Sequence, residues 1–148
     1  MTQAEQGRIL GIDYGSRWVG LALSDPLRIL ATSYRSLQND ANLEQELGLI
    51  LEREAVEAVV VGLPLGLNGK KTRKTIEVEE FILRLQASFA VEVIPWDERF
   101  TTSIARQTLL AMGTKKQERR KRDGRVDAMA AAIILQGFLD STKKSLSC

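Results

Sequence analysis

The chain has 148 residues, of which 44% are hydrophobic and 27% charged, and its formal net charge is +2. This length and composition exclude a disordered or collagen-like chain and predict one globular domain over residues 1–148, with an ordered core at about 8–140. The polar start lacks a signal peptide and no long apolar run follows, so we expect a cytoplasmic protein without a membrane partner.

Histidine is absent, and the one cysteine is Cys148. These counts exclude a Ser/His/Asp triad, histidine-ligated zinc and an intrachain disulfide. Carboxylates, supported by lysine, arginine and hydroxyl groups, remain for catalysis.

Three strands are predicted at the start of the chain. Arg8 to Asp13 and Trp18 to Ser24 are short apolar runs separated by Tyr14-Gly15-Ser16, which is the pattern of a β-hairpin. Ile29 to Leu37 predicts a third, shorter strand behind the Asp25-Pro26 turn. We therefore expect an antiparallel part first.

Helices and strands alternate in the middle of the chain. Asn42 to Glu54 and Thr72 to Phe89 have apolar residues at helical spacing, which predicts two amphipathic helices. Val56 to Leu63 is a continuous apolar run typical of a central parallel strand buried on both faces. Val91 to Trp96 predicts a further strand.

The last third is predicted to be helical on both sides of a basic loop. Thr101 or Thr102 can cap a helix that runs to Met112, and a final helix spans about Arg125 to Asp140. Its first part is apolar nearly all round, which predicts complete burial. The whole order predicts an α/β fold with a mixed sheet led by an antiparallel hairpin and helices on its faces.

Basic residues are concentrated in two clusters, and outside them acidic residues outnumber basic ones. This distribution favours a protein that binds a polyanion, and nucleic acid in particular. The alternative, that each cluster is a solvated loop, stays open. The residues that we predict to bind nucleic acid are Lys70, Lys71, Lys115, Lys116, Arg119, Arg120, Lys121, Arg122 and Arg125. Arg73 and Lys74 also belong to the first cluster.

Three carboxylates lie where a predicted core element begins or ends. Asp13 closes the first strand, Glu98 follows the fifth strand, and Asp127 begins the last helix. Each also has a purely structural interpretation. Asp13 can form a turn, and the other two can interact favourably with the positive end of a helix dipole.

If the three carboxylates converge, their mutual repulsion requires a cation. Mg²⁺ or Mn²⁺ is the expected ion because both prefer oxygen ligands, and no histidine or usable cysteine is present. Two such ions can activate a water and stabilise the leaving oxygen in phosphodiester hydrolysis. The predicted arrangement has Asp13 bridging two ions, with Glu98 and Asp127 each holding one side.

Four motifs together resemble the YqgF family over about residues 8–140. They are GIDYG at 11–15 with VGLA at 19–22, VVGLPL at 60–65 with NG at 68–69, DERFTT at 97–102, and GRVD at 124–127 with AA at 130–131 and IL at 134–135. Two positions depart from the family pattern. Asp123 replaces a usual lysine or arginine, and Gly66-Leu67 replaces the usual Asn-Met.

The resemblance implies an RNase H-like fold and a nuclease that matures the 5′ end of precursor 16S ribosomal RNA. The family has also been assigned as a Holliday junction resolvase by similarity to resolvases of the same fold. Its acidic positions correspond to Asp13, Glu98 and Asp127 in this chain. The implied partners are precursor rRNA first, branched DNA second, and pre-ribosomal particles, with a monomer or a homodimer both possible.

Two other classes of function stay open. A non-catalytic RNA-binding factor in ribosome assembly is compatible with the basic clusters and with a site of three rather than four acids. A D-x-G turn after a strand also occurs in sugar kinases and actin-like ATPases, which have two such domains facing a cleft, whereas 148 residues supply one.

Overall fold

A computed structural model describes residues 7–100 and 125–146 of the chain. Five strands and three helices lie within these two ranges. The elements are β1 (Arg8–Tyr14), β2 (Trp18–Ser24), β3 (Ala31–Gln38), α1 (Leu43–Arg53), β4 (Val56–Leu63), α2 (Arg73–Ser88), β5 (Glu92–Asp97), a 3-10 turn (Glu98–Phe100) and α3 (Arg125–Leu146). The helix predicted from Thr101 or Thr102 to Met112 and the basic loop after it lie outside the described residues.

The strands form one mixed sheet in the order β3-β2-β1-β4-β5. β2 pairs antiparallel with both β1 and β3, whereas β4 pairs parallel with both β1 and β5. The central strand β4 is a nearly continuous apolar run, because both of its faces are covered. The predicted mixed sheet, led by an antiparallel hairpin, is confirmed.

Each face of the sheet has its own apolar core, since successive side chains of a strand point to opposite faces. On one face Leu10, Ile12 and Leu21 pack with the buried sides of α1 and α2, including Phe81. On the other face the sheet packs against α3 through Ala22, Val60, Ala131, Leu135 and Leu139. The fold is therefore a helix–sheet–helix sandwich.

Helix α3 differs from its prediction in two respects. It extends to Leu146 rather than ending near Asp140, and it is buried along one stripe rather than all round. A single helix on a sheet buries only the residues at helical spacing that face the strands. The outer positions Ala130, Ala132 and Ile133 are half-buried among the described residues. Within residues 7–100 and 125–146 none of the helices is long and apolar enough to cross a lipid bilayer.

Strand β3 begins later than predicted and is not shorter than its neighbours, with eight residues against seven in β2. The reason is a loop over residues 25–30. The carboxylate of Asp25 accepts hydrogen bonds from the N–H groups of Ile29 (2.6 Å) and Leu30 (2.9 Å). Arg28 adopts a left-handed conformation with φ 59° inside this loop. The two N–H groups thus bond to a side chain instead of to a strand.

Candidate active site

Asp13 lies near the carboxyl end of β1, between two glycines on the neighbouring strands. Its antiparallel partner on β2 is Gly20. The parallel register with β4 pairs Ile12 with Val61, so the next residue, Gly62, follows beside Asp13. The alternation along β1 directs Asp13 to the face that α3 covers. Because neither glycine has a side chain, space is left on both sides of the carboxylate.

The start of α3 fills the space above Gly20. A methyl group on this glycine would lie only 2.0 Å from the carbonyl oxygen of Asp127 and 2.6 Å from the nitrogen of Ala128. Such distances are far below van der Waals contact, so the position tolerates only glycine without movement of the helix. This close approach carries Asp127, in the first turn of α3, to the same end of the sheet as Asp13.

The side chain of Glu98 fills the space above Gly62 on the other side. A methyl group there would lie 2.9 Å from Glu98 Oε2 and 3.2 Å from its Cγ. Glu98 follows β5 directly, at the start of the 3-10 turn. Since β5 pairs with β4 up to the Leu63–Asp97 pair, the turn begins beside the end of β4.

The neighbouring acid, Asp97, is held in a different interaction. Arg99 donates two hydrogen bonds from Nε and Nη2 to its carboxylate, the shorter at 2.7 Å. The Arg99 side chain lowers the pKa of Asp97. Of the two adjacent acids, Asp97 thus has its negative charge balanced by Arg99, whereas the side chain of Glu98 extends over Gly62 towards Asp13.

The three candidate acids are electrostatically coupled. Burial, together with the negative charges of Glu98 and Asp127, raises the pKa of Asp13 to about 7. Burial also raises the pKa of Asp127. Among residues 7–100 and 125–146, no three acidic side chains are close enough together to hold a metal ion. The arrangement brings like charges near one another without gathering them into a closed ligand cage.

Lys74 is a residue of this region that the sequence placed only in a basic cluster. It lies in the first turn of α2, and its Nζ is 5.5 Å from the centre of the Tyr14 ring. Tyr14 in turn stacks on Phe81 at 4.2 Å. The positive charge of Lys74 opposes the rise in pKa of both Asp13 and Asp127. No local pattern could have found this role, because α2 meets the end of β1 only in the tertiary structure.

The predicted nucleic-acid-binding residues are only partly described. Lys70 and Lys71 are exposed in the connection between β4 and α2, and Lys71 forms an ion pair with Glu79 at 2.9 Å. Arg125 starts α3, but its side chain lies outside the description. The same holds for the whole of Lys115, Lys116, Arg119, Arg120, Lys121 and Arg122, and for Asp123.

The chemistry of the donor set at this end of the sheet fits a hard divalent cation, although the three carboxylates are not gathered closely enough to enclose one. It consists of carboxylate oxygens, which Mg²⁺ and Mn²⁺ prefer. Asp13 is half-buried and faces like charges, and a bound cation would offset both the lost hydration and the repulsion that raise its pKa. Residues Asp13, Glu98 and Asp127 are the ones that could supply ligands.

Comparisons with known proteins agree with this fold and extend over nearly the whole chain. A family model described as "RuvX: Holliday junction resolvase" matches residues 7–141. A curated protein of Listeria monocytogenes, named "Putative pre-16S rRNA nuclease", is 40% identical, and the match covers 91% of this chain and 99% of that protein. A protein of the same name from Chlorobaculum tepidum is 37% identical, with 95% and 99% covered.

Solved structures of low sequence identity have the same fold. The fowlpox virus resolvase, in complex with Holliday junction DNA, has a TM-score of 0.53 at 14% identity, with 91% of this chain and 98% of that chain covered. Thermus thermophilus RuvC, in complex with a Holliday junction substrate, has a TM-score of 0.53 at 15% identity, with 92% and 96% covered. These neighbours confirm the predicted RNase H-like fold. The chain therefore belongs to the RuvX family, which confirms the family resemblance of its four sequence motifs.

Proposed function

We propose that this protein is a metal-dependent nuclease that hydrolyses a phosphodiester bond near the 5′ end of precursor 16S ribosomal RNA. The name of its curated relatives supports the substrate. The observation that carries the chemistry is the position of Asp13 between Gly20 and Gly62, with Asp127 and Glu98 brought over these two glycines.

The ion that we propose is Mg²⁺ or Mn²⁺, held by Asp13, Glu98 and Asp127. When bound, such ions supply an activated water and stabilise the leaving oxygen of an in-line displacement. The protein contributes three things. Its carboxylates bind and orient the ions, the half-buried position of Asp13 limits the access of bulk water to this carboxylate, and Lys74 partly offsets the negative charge before ions bind.

The basic residues are proposed to hold the phosphate backbone of the substrate. Lys70 and Lys71 lie in the connection that leaves the same end of β4 as Gly62. Contacts to phosphate position a strand without reading its bases, so binding should depend strongly on salt concentration. We place the activity in the cytoplasm, on precursor rRNA that is free or already part of a pre-ribosomal particle.

The test is cleavage of a labelled precursor 16S leader RNA while Mn²⁺ or Mg²⁺ is titrated. Wild-type protein should cleave only with the ion, and the Asp13→Asn, Glu98→Gln and Asp127→Asn variants should each lose the ion-dependent product. Asp97→Asn is a matched control, because that acid is next in sequence to Glu98 but is paired with Arg99. Equal survival of the leader with wild type and with Asp13→Asn would reject the nuclease.

A Holliday junction resolvase is the second candidate, favoured by the description of the matching family model. A labelled four-way DNA junction and the leader RNA, compared under identical conditions, separate the two substrates. Resolution of a junction requires two sites, and hence a homodimer, whereas processing of one strand requires only a monomer. Sedimentation of the active species therefore gives a second, independent comparison.

If the protein binds RNA but never cleaves it, it is a non-catalytic RNA-binding factor. Charge-neutral replacement of Arg119, Arg120, Lys121 and Arg122 should weaken RNA binding and flatten the dependence of log Kd on log salt concentration. If that slope does not change, these four residues do not contact phosphate, and the strand must be held by other parts of the protein.

A further inference from the structure

Residues 65–71 form a tight hairpin, here called the tip hairpin, whose two ends pair as an antiparallel bridge. The N–H of Gly66 donates to the carbonyl oxygen of Lys70 at 2.9 Å, and the N–H of Gly69 donates to that of Gly66 at 2.8 Å. Gly69 adopts the left-handed region with φ 80°. A turn closed by a left-handed glycine is a common three-residue hairpin loop. The tip hairpin is thus a defined structure.

Leu67 projects from the end of the tip hairpin into solvent. Its side chain is 94% exposed, which makes it the most exposed large hydrophobic residue of the described chain. The next residue, Asn68, stiffens the turn because its Oδ1 accepts a hydrogen bond from the N–H of Lys70 at 2.9 Å. Burial of this leucine against a partner would be favourable, because apolar surface is then removed from water. This apolar group is held in place without contributing to the core.

The tip hairpin is braced against the segments that build the candidate active site. The hydroxyl of Thr75, in the first turn of α2, donates to the carbonyl oxygen of Pro64. On the other side a methyl group on Gly69 would lie 3.2 Å from Nη1 of Arg99, the residue after Glu98. The tip hairpin therefore continues from the same end of β4 as Gly62 and is supported by the turn that carries Glu98.

The charge around Leu67 is positive. Lys70 and Lys71 follow it within four residues, and both are exposed. Lys71 forms an ion pair with Glu79, whereas Lys70 forms no ion pair within the described parts of the chain. Lysine side chains bind phosphates, and an apolar side chain beside them can pack against the face of a base, since leucine is among the residues that insert between stacked bases.

We propose that the tip hairpin binds the nucleic-acid substrate beside the scissile phosphate, with Leu67 packed against an unstacked base. This inference rests on the proposed nuclease function and adds a positioning residue to it. Lys70 and Lys71 contact the flanking phosphates. The leucine then favours substrates in which a base is already free, at a junction between single and double strand, because less stacking has to be broken there.

The test uses an RNA duplex with a single-stranded 5′ leader, in which 2-aminopurine replaces one base at a time across the junction. Binding and fluorescence are measured in the Asp13→Asn background, so that the RNA stays intact. Leu67→Ala should weaken binding about tenfold and remove the fluorescence change at one position, because one leucine contact is lost. Leu67→Phe should retain both. The salt dependence of Kd should be the same for Leu67→Ala as for the background.

Two controls separate the leucine from the charges and from general surface effects. Leu83→Ala removes a leucine on α2 that is 64% exposed and lies outside the tip hairpin, and it should change neither Kd nor fluorescence. Lys70→Gln combined with Lys71→Gln should reduce the slope of log Kd against log salt concentration by the amount expected for the loss of roughly two phosphate contacts. The fluorescence change at saturation should be retained.

The inference is overturned if Leu67→Ala behaves like Leu83→Ala. It is also overturned if Leu67→Ala leaves RNA binding intact but releases the protein from pre-ribosomal particles, which would make Leu67 a protein contact. If Leu67→Ala weakens RNA binding and removes the fluorescence change, but wild-type protein does not cut the RNA, only the proposed nuclease function fails. If wild-type protein bound no RNA at all, both proposals would fail together.

Discussion

Two aspartates at opposite ends of the same sheet behave in opposite ways. Asp25 follows β2 and accepts hydrogen bonds from the N–H groups of Leu30 and Ile29, which lower its pKa. Asp13 lies near the end of β1, where burial and the charges of Glu98 and Asp127 raise its pKa to about 7. One carboxylate is satisfied by the backbone of its own loop. The other is surrounded by like charge.

The surroundings of Asp25 show what a structural end of the sheet looks like. Ser24 Oγ accepts a hydrogen bond from the N–H of Ile9 at 2.9 Å, and Arg8 donates to the Ser24 carbonyl at 3.1 Å. Arg28 donates to the Gly7 carbonyl and pairs with Glu57 at 2.7 Å. Charges there meet opposite charges or hydrogen-bonding groups. An end without this compensation costs stability, and such an end is where a cation or a substrate is expected to bind.

The largest expected effect is on activity. Asp13→Asn should lower cleavage of precursor RNA by about 100-fold or more, because one ligand of the proposed ions is lost. Asp25→Asn is the matched change at the other end and should leave the rate within about twofold. The measurement is the initial rate at saturating Mn²⁺. Comparable losses in both variants would show that the two ends do not differ in function.

The next largest effects are expected from substitutions of the two glycines beside Asp13. One substitution should mainly lower the free energy of unfolding, and the other should mainly weaken ion binding. Gly20→Ala places a methyl group against the backbone of Asp127, and we expect about 3 kcal/mol of destabilisation because a helix start cannot move freely. In Gly62→Ala the three atoms nearest to the new methyl group belong to the side chains of Glu98 and Ile134. It should cost about 1 kcal/mol but displace Glu98 and weaken ion binding. Chemical denaturation and Mn²⁺ titration measure the two effects.

The opposite pKa shifts predict opposite dependences of stability on pH. The raised pKa of Asp13 makes the metal-free protein lose stability as pH rises from about 4 to about 7, because the unfolded chain releases this proton first. Asp13→Asn should therefore be more stable than wild type at pH 8, by roughly 4 kcal/mol, with the difference shrinking towards pH 4. The lowered pKa of Asp25 contributes stability above its unfolded value near 3.8 and loses it as pH falls. Asp25→Asn should therefore be less stable than wild type at pH 8.

Divalent ions complete this comparison of stabilities. Mn²⁺ should raise the melting temperature of wild type and of Asp25→Asn but not that of Asp13→Asn, since a ligand stabilises only a form that binds it. Thermal melts in chelator and in excess Mn²⁺ measure this without any activity assay. An equal rise in all three proteins would place the ion away from Asp13.

The smallest expected effect concerns Lys74. Lys74→Met removes a positive charge that opposes the raised pKa of Asp13 and Asp127. The pKa of Asp13 should rise further, and binding of Mn²⁺ should strengthen about threefold, because a fixed cation no longer competes for the carboxylates. Carboxyl chemical shifts followed by NMR report the pKa. Lys70→Met, an exposed lysine in the tip hairpin, is the control and should change neither quantity.

Much of the fold could be predicted because its elements are local patterns. The apolar runs of β1, β2 and β4 and the helical spacing of α1 and α2 locate these elements within a few residues of their ends. The later start of β3 was not predictable from hydrophobicity, since it depends on hydrogen bonds of one side chain, that of Asp25. The partial exposure of the outer side of α3 was not predicted, because an apolar sequence does not show how many neighbouring elements cover a helix.

By itself, the sequence determined which chemistry was available and where its groups could lie. The lack of histidine left carboxylates, and the ends of β1 and β5 and the start of the last helix marked Asp13, Glu98 and Asp127. Only the tertiary structure decided that Gly20 and Gly62 flank Asp13, that Lys74 reaches the same charges, and that Leu67 projects at this end. The physical reason is the separation along the chain of the residues that interact. Periodicity and strand ends are set by neighbours in sequence, whereas strand register and close backbone approach are set by residues distant along the chain.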